Sequence, residues 1–149
     1  ISCENPLALE NKTNPDLIPE KDFINIVKAD EKISHILKVA CYDCHSHETR
    51  YPWYTYIVPV GYWIKNHVTH GSKHLNFSLW GDYSGKKADH KLEECVEMVA
   101  DKKMPLNSYT ITHRDAILNE ADRKLLVDFF NNLRTGESEK KEEHSTDNH

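Results

Sequence analysis

The sequence predicts an all-α fold, a bundle of about four helices joined by long ordered loops. Apolar residues recur at helical spacing in several separate stretches, and no stretch alternates apolar and polar residues as a strand does. A chain of 149 residues corresponds to a single domain. We expect an extended lead-in on the surface over residues 1–29, the folded domain over 30–136 and a charged, disordered tail over 137–149.

The first two predicted helices flank a cysteine-rich turn. Asp30 caps the first helix, which runs directly into the turn. Its apolar positions are Ile33, Ile36, Leu37, Ala40 and Cys41. The second helix begins after Pro59, and we expect it to stop at Gly71.

Two further helices follow an aromatic segment at 75–81. The third has an apolar stripe and ends near Lys103, where Met104-Pro105 breaks it. The fourth begins at an Asn119 cap and is expected to stop at Gly136. Long ordered loops with little secondary structure need something to pack on, and a cofactor would supply it.

Composition excludes some classes of protein. The formal net charge is -5, with 24 acidic residues against 19 basic ones, which argues against a nucleic-acid partner. No apolar run is long enough to span a bilayer. Four cysteines are too few for a disulfide scaffold, so their spacing is the informative feature.

The stretch Cys41-Tyr42-Asp43-Cys44-His45 matches the attachment signal of c-type haem. Two thiols one helical turn apart can each form a thioether with one vinyl group of the porphyrin, and the adjacent imidazole becomes an axial ligand of the iron. Two rival interpretations are weaker. A redox dithiol should follow a strand, whereas a helix precedes this one, and a zinc site would have to recruit His67, His70 or His74.

The second axial ligand is predicted to be Met104, because a thioether followed by proline projects at a fixed distance and favours ferrous iron. Met98 lies on the flank of the third helix and is expected to pack there. His113, His67 or an open site are the alternatives.

A flat apolar ring needs apolar walls, which nearby aromatic and flanking residues would supply. The candidate pocket residues are Trp53, Tyr54, Pro59, Trp63, Asn76, Phe77, Trp80 and Tyr109. We also expect Nδ1 of His45 to donate to a backbone carbonyl, with Pro52 and Pro59 as the nearest candidates, since such a bond fixes the tautomer of a ligating histidine.

From about Asn14 to Asn132 the chain resembles the haem-binding domain family of bacterial single-haem c-type cytochromes. The residues that carry the resemblance are Cys41–Tyr54, Asn66–Val68, Gly71, Leu75–Ser78, His90–Glu94, Met104–Leu106, Ser108–Thr110, His113 and Ala116. The resemblance implies an exported, cytochrome c-like bundle wrapped around one covalently attached haem, with the family's Met-Pro on Met104. Arg114 and Cys95 depart from the family pattern, and Cys95 leaves a thiol unexplained.

Cys3 is open to three interpretations. It resembles the cysteine of a lipobox, which would tether the protein to a membrane; it is also a candidate disulfide partner of Cys95, or a free thiol. We expect the protein in the periplasm or on the outer face of the inner membrane, where a lipid on Cys3 would anchor it.

These features predict an electron carrier rather than an enzyme, working with redox partner proteins or membrane respiratory complexes and with no small-molecule substrate. The alternatives are a haem enzyme or sensor with an open or labile distal site, peroxidase-like or gas-binding, and a fixed subunit of a respiratory or photosynthetic complex. A basic collar for an acidic partner is a further expectation, formed by Lys86, Lys87, Lys91, Lys102 and Lys103.

Overall fold

The structure, a computed structural model, describes the backbone of residues 14–143 and the side-chain surroundings of residues 14–135. Within that part of the chain it contains helices and no strand, so the predicted all-α class is confirmed. The α-helices are α1 (Phe23–Val27), α2 (Glu31–Ala40), α3 (Tyr42–His45), α4 (Val60–His74), α5 (Gly85–Ala100), α6 (Asn107–Thr110) and α7 (Glu120–Glu143). Short 3₁₀ segments occupy Pro19–Lys21, Trp53–Tyr56, Phe77–Asp82 and Arg114–Ala116.

The two predicted N-cap residues lie at the starts of their helices. Asp30 accepts a hydrogen bond from the Ile33 amide at 2.8 Å at the start of α2. Asn119 accepts one from the Asp122 amide at 2.7 Å at the start of α7. Helices α2, α4, α5 and α7 therefore correspond to the four predicted ones. No helix in the described part of the chain combines the length and apolar character needed to cross a bilayer.

Helices α5 and α7 pack along each other, and a cluster of aromatic rings fills the space beneath them. Phe23 lies at its centre, with ring centroids 5.0 Å from Phe77 and 4.7 Å from Trp80. Tyr42, beside the first motif cysteine, stacks on Phe77 at 5.3 Å. The core thus reaches directly under the Cys-x-x-Cys-His turn.

The lead-in was expected to lie on the surface, and for Phe23 this is wrong, although the residues around it are exposed or half-buried. Phe23 is completely buried and α1 is anchored by an Asp22 cap that accepts from the Ile24 amide. The sequence pattern missed it because one turn of helix is too short to show a period. Residues 1–13 lie outside the described part of the chain.

Two helices extend beyond the residues at which the sequence predicts their ends. Helix α4 passes through Gly71 to His74, and α7 passes through Gly136 to Glu143. A single glycine costs a helix only about 1 kcal/mol. Glutamates and lysines, which favour helix, follow Gly136 and extend α7. Residues 144–149 lie outside the described part of the chain.

Candidate functional site

The Cys-x-x-Cys-His turn forms a short helix of its own at the end of α2. Cys41 ends α2 and begins α3, and its carbonyl accepts hydrogen bonds from the amides of Cys44 (3.2 Å) and His45 (3.0 Å). The helical turn brings both thiols and the imidazole to the wall of a single cavity. This is the arrangement that the motif spacing predicts.

The orientation of the His45 ring is set by α4. Its Nδ1 lies 3.0 Å from the Gly71 carbonyl oxygen and 3.1 Å from that of Leu75. Carbonyl oxygens only accept, so Nδ1 carries the proton and Nε2 keeps its lone pair. Burial also lowers the pKa of His45, which favours the neutral ring. A backbone-carbonyl partner for Nδ1 is confirmed, but the carbonyls belong to the end of α4 and not to Pro52 or Pro59.

Gly71 is where α4 approaches α3 most closely. A Cβ atom at this position would lie 2.7 Å from the Cys44 carbonyl oxygen and 3.2 Å from the Cys44 Cβ. Only glycine permits that approach. Gly71 therefore brings the carbonyls of α4 to His45 instead of ending the helix.

A cavity of about 350 Å³ lies against this turn, within the size range of cofactor sites. Cys41, Cys44 and His45 line it, and Met104 lines it too although it lies far along the chain. Further lining residues come from α4 (His67, His70, His74), from α5 (Lys91, Glu94, Cys95, Met98) and from Phe77, Leu106, Tyr109 and Phe130. An imidazole with a free Nε2, two thiols and a thioether fit a covalently attached haem.

Both motif thiols are protonated at neutral pH. Burial raises the pKa of Cys41 to about 12 and that of Cys44 to about 11. Redox dithiols and zinc sites use thiolates, which a lowered pKa would favour. Nowhere among the described side chains of residues 14–135 do three or more His, Cys, Asp or Glu residues come together as a metal-binding group. The surroundings of the thiols therefore argue against both rival interpretations, the redox dithiol and the zinc site.

Met104 is held by the turn that ends α5. Lys102 adopts a left-handed conformation (φ 59°), and the amides of Lys103 and Met104 both donate to the Met98 carbonyl at 3.0 Å. Arg123 of α7 donates to the carbonyls of Val99 (2.6 Å) and Met104 (3.3 Å). Arg123 is not predictable from the sequence, since nothing in its local pattern distinguishes it from a solvated helix residue.

Met98, expected to pack on the flank of its helix, also lines the cavity and is 41% exposed. Both methionines are therefore near the site. They differ in exposure, since Met98 is exposed and Met104 is half-buried, and only the Met104 carbonyl accepts a hydrogen bond from α7.

Asp43, inside the motif, joins the two halves of the site, a role that the local sequence pattern does not indicate. It is buried, and its carboxylate accepts hydrogen bonds from Nη2 of Arg50 at 2.9 Å and from the Tyr109 hydroxyl at 2.6 Å. Tyr109 follows Met104 in the chain and lines the cavity itself. Asp43 therefore connects the proximal turn to the segment that carries Met104.

The other predicted pocket residues are divided between several places. Phe77 and Tyr109 line the large cavity. Tyr54 and Trp63 line a neighbouring cavity of about 110 Å³, which shares Cys44 and other wall residues with the large one.

The remaining predicted pocket residues line neither cavity. Trp80 packs against Phe23 in the core, and Asn76 caps the 3₁₀ segment at 77–82 by accepting from the Ser78 amide. Pro59 precedes α4, and Trp53 is 74% exposed. Sequence proximity to the motif did not indicate which way these side chains point.

His113 lies beside the site. Its Nε2 is 3.1 Å from the Tyr54 hydroxyl, and its ring stacks on Tyr109 at 4.1 Å. It lines the small cavity and not the large one. The structure therefore does not bring this alternative distal ligand to the wall that holds Met104.

The expected basic collar is largely neutralised by acidic neighbours. Its ion pairs are Lys91–Glu94 at 3.2 Å, Lys102–Glu120 at 2.7 Å and Lys103–Asp101 at 3.3 Å.

Cys95 is buried at the cavity wall. Cys3, which is both its expected disulfide partner and the candidate lipidation site, lies outside the described residues.

An all-α fold around an apolar cavity, walled by an imidazole with a free Nε2 and two neutral thiols, defines a haem-binding protein. The chain belongs to the haem-binding domain family, whose model matches residues 7–132. Neither the curated proteins nor the solved structures contain a significant match.

Proposed function

We propose that this protein is a single-haem c-type cytochrome that carries electrons. Cys41 and Cys44 hold the haem through thioethers, and His45 and Met104 are the axial ligands. The observation that carries the proposal is that these four side chains, from two distant parts of the chain, line one cavity.

Different residues of the chain have different roles in such a carrier. The haem, when bound, supplies an iron that changes between the ferric and ferrous states. His45 presents Nε2 while its Nδ1 proton is held by α4. The Met104 thioether favours the reduced state, and the apolar part of the wall packs against the ring. A peroxidase needs an acid–base residue near the iron. His113, which could serve as one, is engaged with Tyr54 in the neighbouring cavity, which supports a carrier over an enzyme.

The proposal extends to location and partners. The resemblance to exported single-haem cytochromes supports a periplasmic protein, or one on the outer face of the inner membrane, which exchanges electrons with other redox proteins. A lipidated Cys3 is one way to tether it there.

Covalent attachment is tested on the protein exported with its haem-maturation system. We expect a haem stain that survives a denaturing gel and a pyridine haemochrome spectrum typical of two thioethers. Cys41→Ser with Cys44→Ser should abolish the stain. Haem that is released completely from the wild-type chain by acidified acetone would contradict the proposal.

The axial ligand is tested by two methionine variants. Met104→Ala should remove the weak red absorption band of thioether-ligated ferric haem and lower the reduction potential, because a soft ligand of ferrous iron is lost. Met98→Ala, the matched control at the same cavity, should keep the band. A high-spin wild-type spectrum, or loss of the band in Met98→Ala alone, would refute the assignment and favour an open or differently ligated distal site.

A further inference from the structure

The stretch from Trp53 to Trp63 exposes many large apolar side chains. Trp53 and Tyr62 are both 74% exposed. The others with large exposed fractions are Tyr56, Ile57, Val58, Val60 and Trp63. Single exposed apolar residues need no explanation, but so many within one short stretch of chain mark an interaction surface.

The same part of the chain carries no negative charge. Between Glu48 and Asp82 there is no aspartate or glutamate, in a chain whose net charge is -5. Lys65 and Lys73 are exposed there. With Tyr62, they occupy one outward face of α4, because positions three, seven and eleven residues apart share a side of a helix.

The chemistry of this surface changes in a definite order along the chain. Ile57, Val58 and Val60 form an aliphatic turn before α4, and Trp53 and Tyr62 on either side combine an apolar ring with a polar N–H or O–H group. The lysines follow along the helix. A bilayer presents the same order, from acyl chains through the headgroup boundary to lipid phosphates. Trp and Tyr are enriched at protein interfaces and at membrane interfaces alike, whereas valine is under-represented among the residues that dominate protein–protein binding, so it is the aliphatic turn that favours lipid.

We propose that the surface formed by residues 53–73 docks on an anionic lipid membrane. The aliphatic turn enters the headgroup boundary, and Lys65 and Lys73 lie against the lipid phosphates. The small cavity at this surface, lined by Val60, Trp63 and His67, shares Cys44 with the large cavity. Docking would therefore turn the Cys44 side of the haem site towards the membrane.

The test uses the intact, haem-loaded protein and sedimentation with vesicles. We expect binding to vesicles of phosphatidylcholine with phosphatidylglycerol, weaker binding to phosphatidylcholine alone, and a loss of binding as salt is raised. Val58→Asp should weaken binding about tenfold, the factor that corresponds to burying one valine side chain. Ile117→Asp, at an exposed apolar residue outside this surface, should leave it unchanged.

The charge contribution is tested separately. Lys65→Gln and Lys73→Gln should each weaken binding to the anionic vesicles about fivefold, whereas Lys28→Gln should not. Tyr62→Asp serves as a second apolar variant if Val58→Asp fails to fold, and the haem spectrum monitors folding in every variant.

Absence of binding to both kinds of vesicle would overturn the proposal, as would equal losses in the surface and control variants. If the surface variants leave vesicle binding unchanged but lose a cross-link to a redox partner, the surface is a protein interface and the proposal is wrong. None of these outcomes depends on which residue ligates the iron, so failure here is distinguishable from failure of the proposed function.

Discussion

Asp43 is the residue that connects the Cys-x-x-Cys-His turn to the segment that carries Met104. Its backbone carbonyl accepts from the Thr49 hydroxyl at 2.8 Å, while its carboxylate accepts from Arg50 and Tyr109. The same contacts raise the pKa of the Arg50 guanidinium, since the charged form is bound to a carboxylate. Because Asp43 is buried and Arg50 is half exposed, loss of the carboxylate leaves the Arg50 backbone amide without its acceptor, whereas the Tyr109 hydroxyl keeps the Val39 carbonyl at 3.1 Å.

Asp43→Asn should lower the free energy of unfolding by about 1–3 kcal/mol, because an amide oxygen accepts less strongly and its NH₂ group cannot pair with Arg50. Tyr109→Phe removes one donor and should cost about 1 kcal/mol. Urea unfolding of the haem-loaded protein measures both. Asp115→Asn, at an exposed aspartate, is the control. An unchanged unfolding midpoint in Asp43→Asn would show that the network is not structural.

At the scale of elements, the site depends on how closely α4 lies on α3. The Gly71 carbonyl reaches His45 because no side chain separates the two helices. Gly85, in the first turn of α5, is different, since nothing lies within 4 Å of a Cβ built there. The two glycines look alike in the sequence, and only the packing distinguishes a close approach from open space.

Gly71→Ala should destabilise the protein by about 1–3 kcal/mol, because the added methyl group meets the Cys44 backbone and forces the helices apart. It should also broaden the haem spectrum, since the partner of His45 moves. Gly85→Ala should instead raise the free energy of unfolding by about 0.5 kcal/mol, because alanine makes the unfolded chain less flexible. Thermal unfolding followed by circular dichroism measures the pair. Equal effects at the two positions would contradict the packing argument.

For the whole molecule, the aromatic cluster joins the N-terminal region to the C-terminal helix. The Phe23 ring lies 6.3 Å from those of both Phe129 and Phe130 on α7 and contacts the rings beneath the motif. One buried residue in the lead-in therefore links elements from both ends of the domain and supports the wall that Phe77 and Phe130 contribute to the cavity.

Phe23→Ala should lower the free energy of unfolding by about 3–5 kcal/mol, the cost of a large cavity in a packed core. Ile26→Ala on the same helix, where the side chain is 43% exposed, should cost less than about 1 kcal/mol. Denaturant unfolding compares the two variants. A similar loss of unfolding free energy in the two variants would show that the lead-in is not part of the core.

Much of this organisation follows from local patterns. Caps and apolar spacing predicted α2, α5 and the start of α7, and the attachment motif marked Cys41, Cys44 and His45, because each depends on residues within a turn or two of one another. The family match to residues 7–132 agrees with the resemblance of those motifs. Asp43, Arg123 and the role of Gly71 were missed, because their partners lie far away in the chain.

By itself, the amino-acid sequence determined the helical class, the main helices and the chemistry of a haem-binding motif, since these are encoded in short-range spacing. Only the tertiary structure decided which carbonyls hold His45, which aromatic side chains reach the cavity, and that Phe23 belongs to the core. Those outcomes depend on how distant helices pack, and packing depends on the shapes of surfaces that no local pattern records.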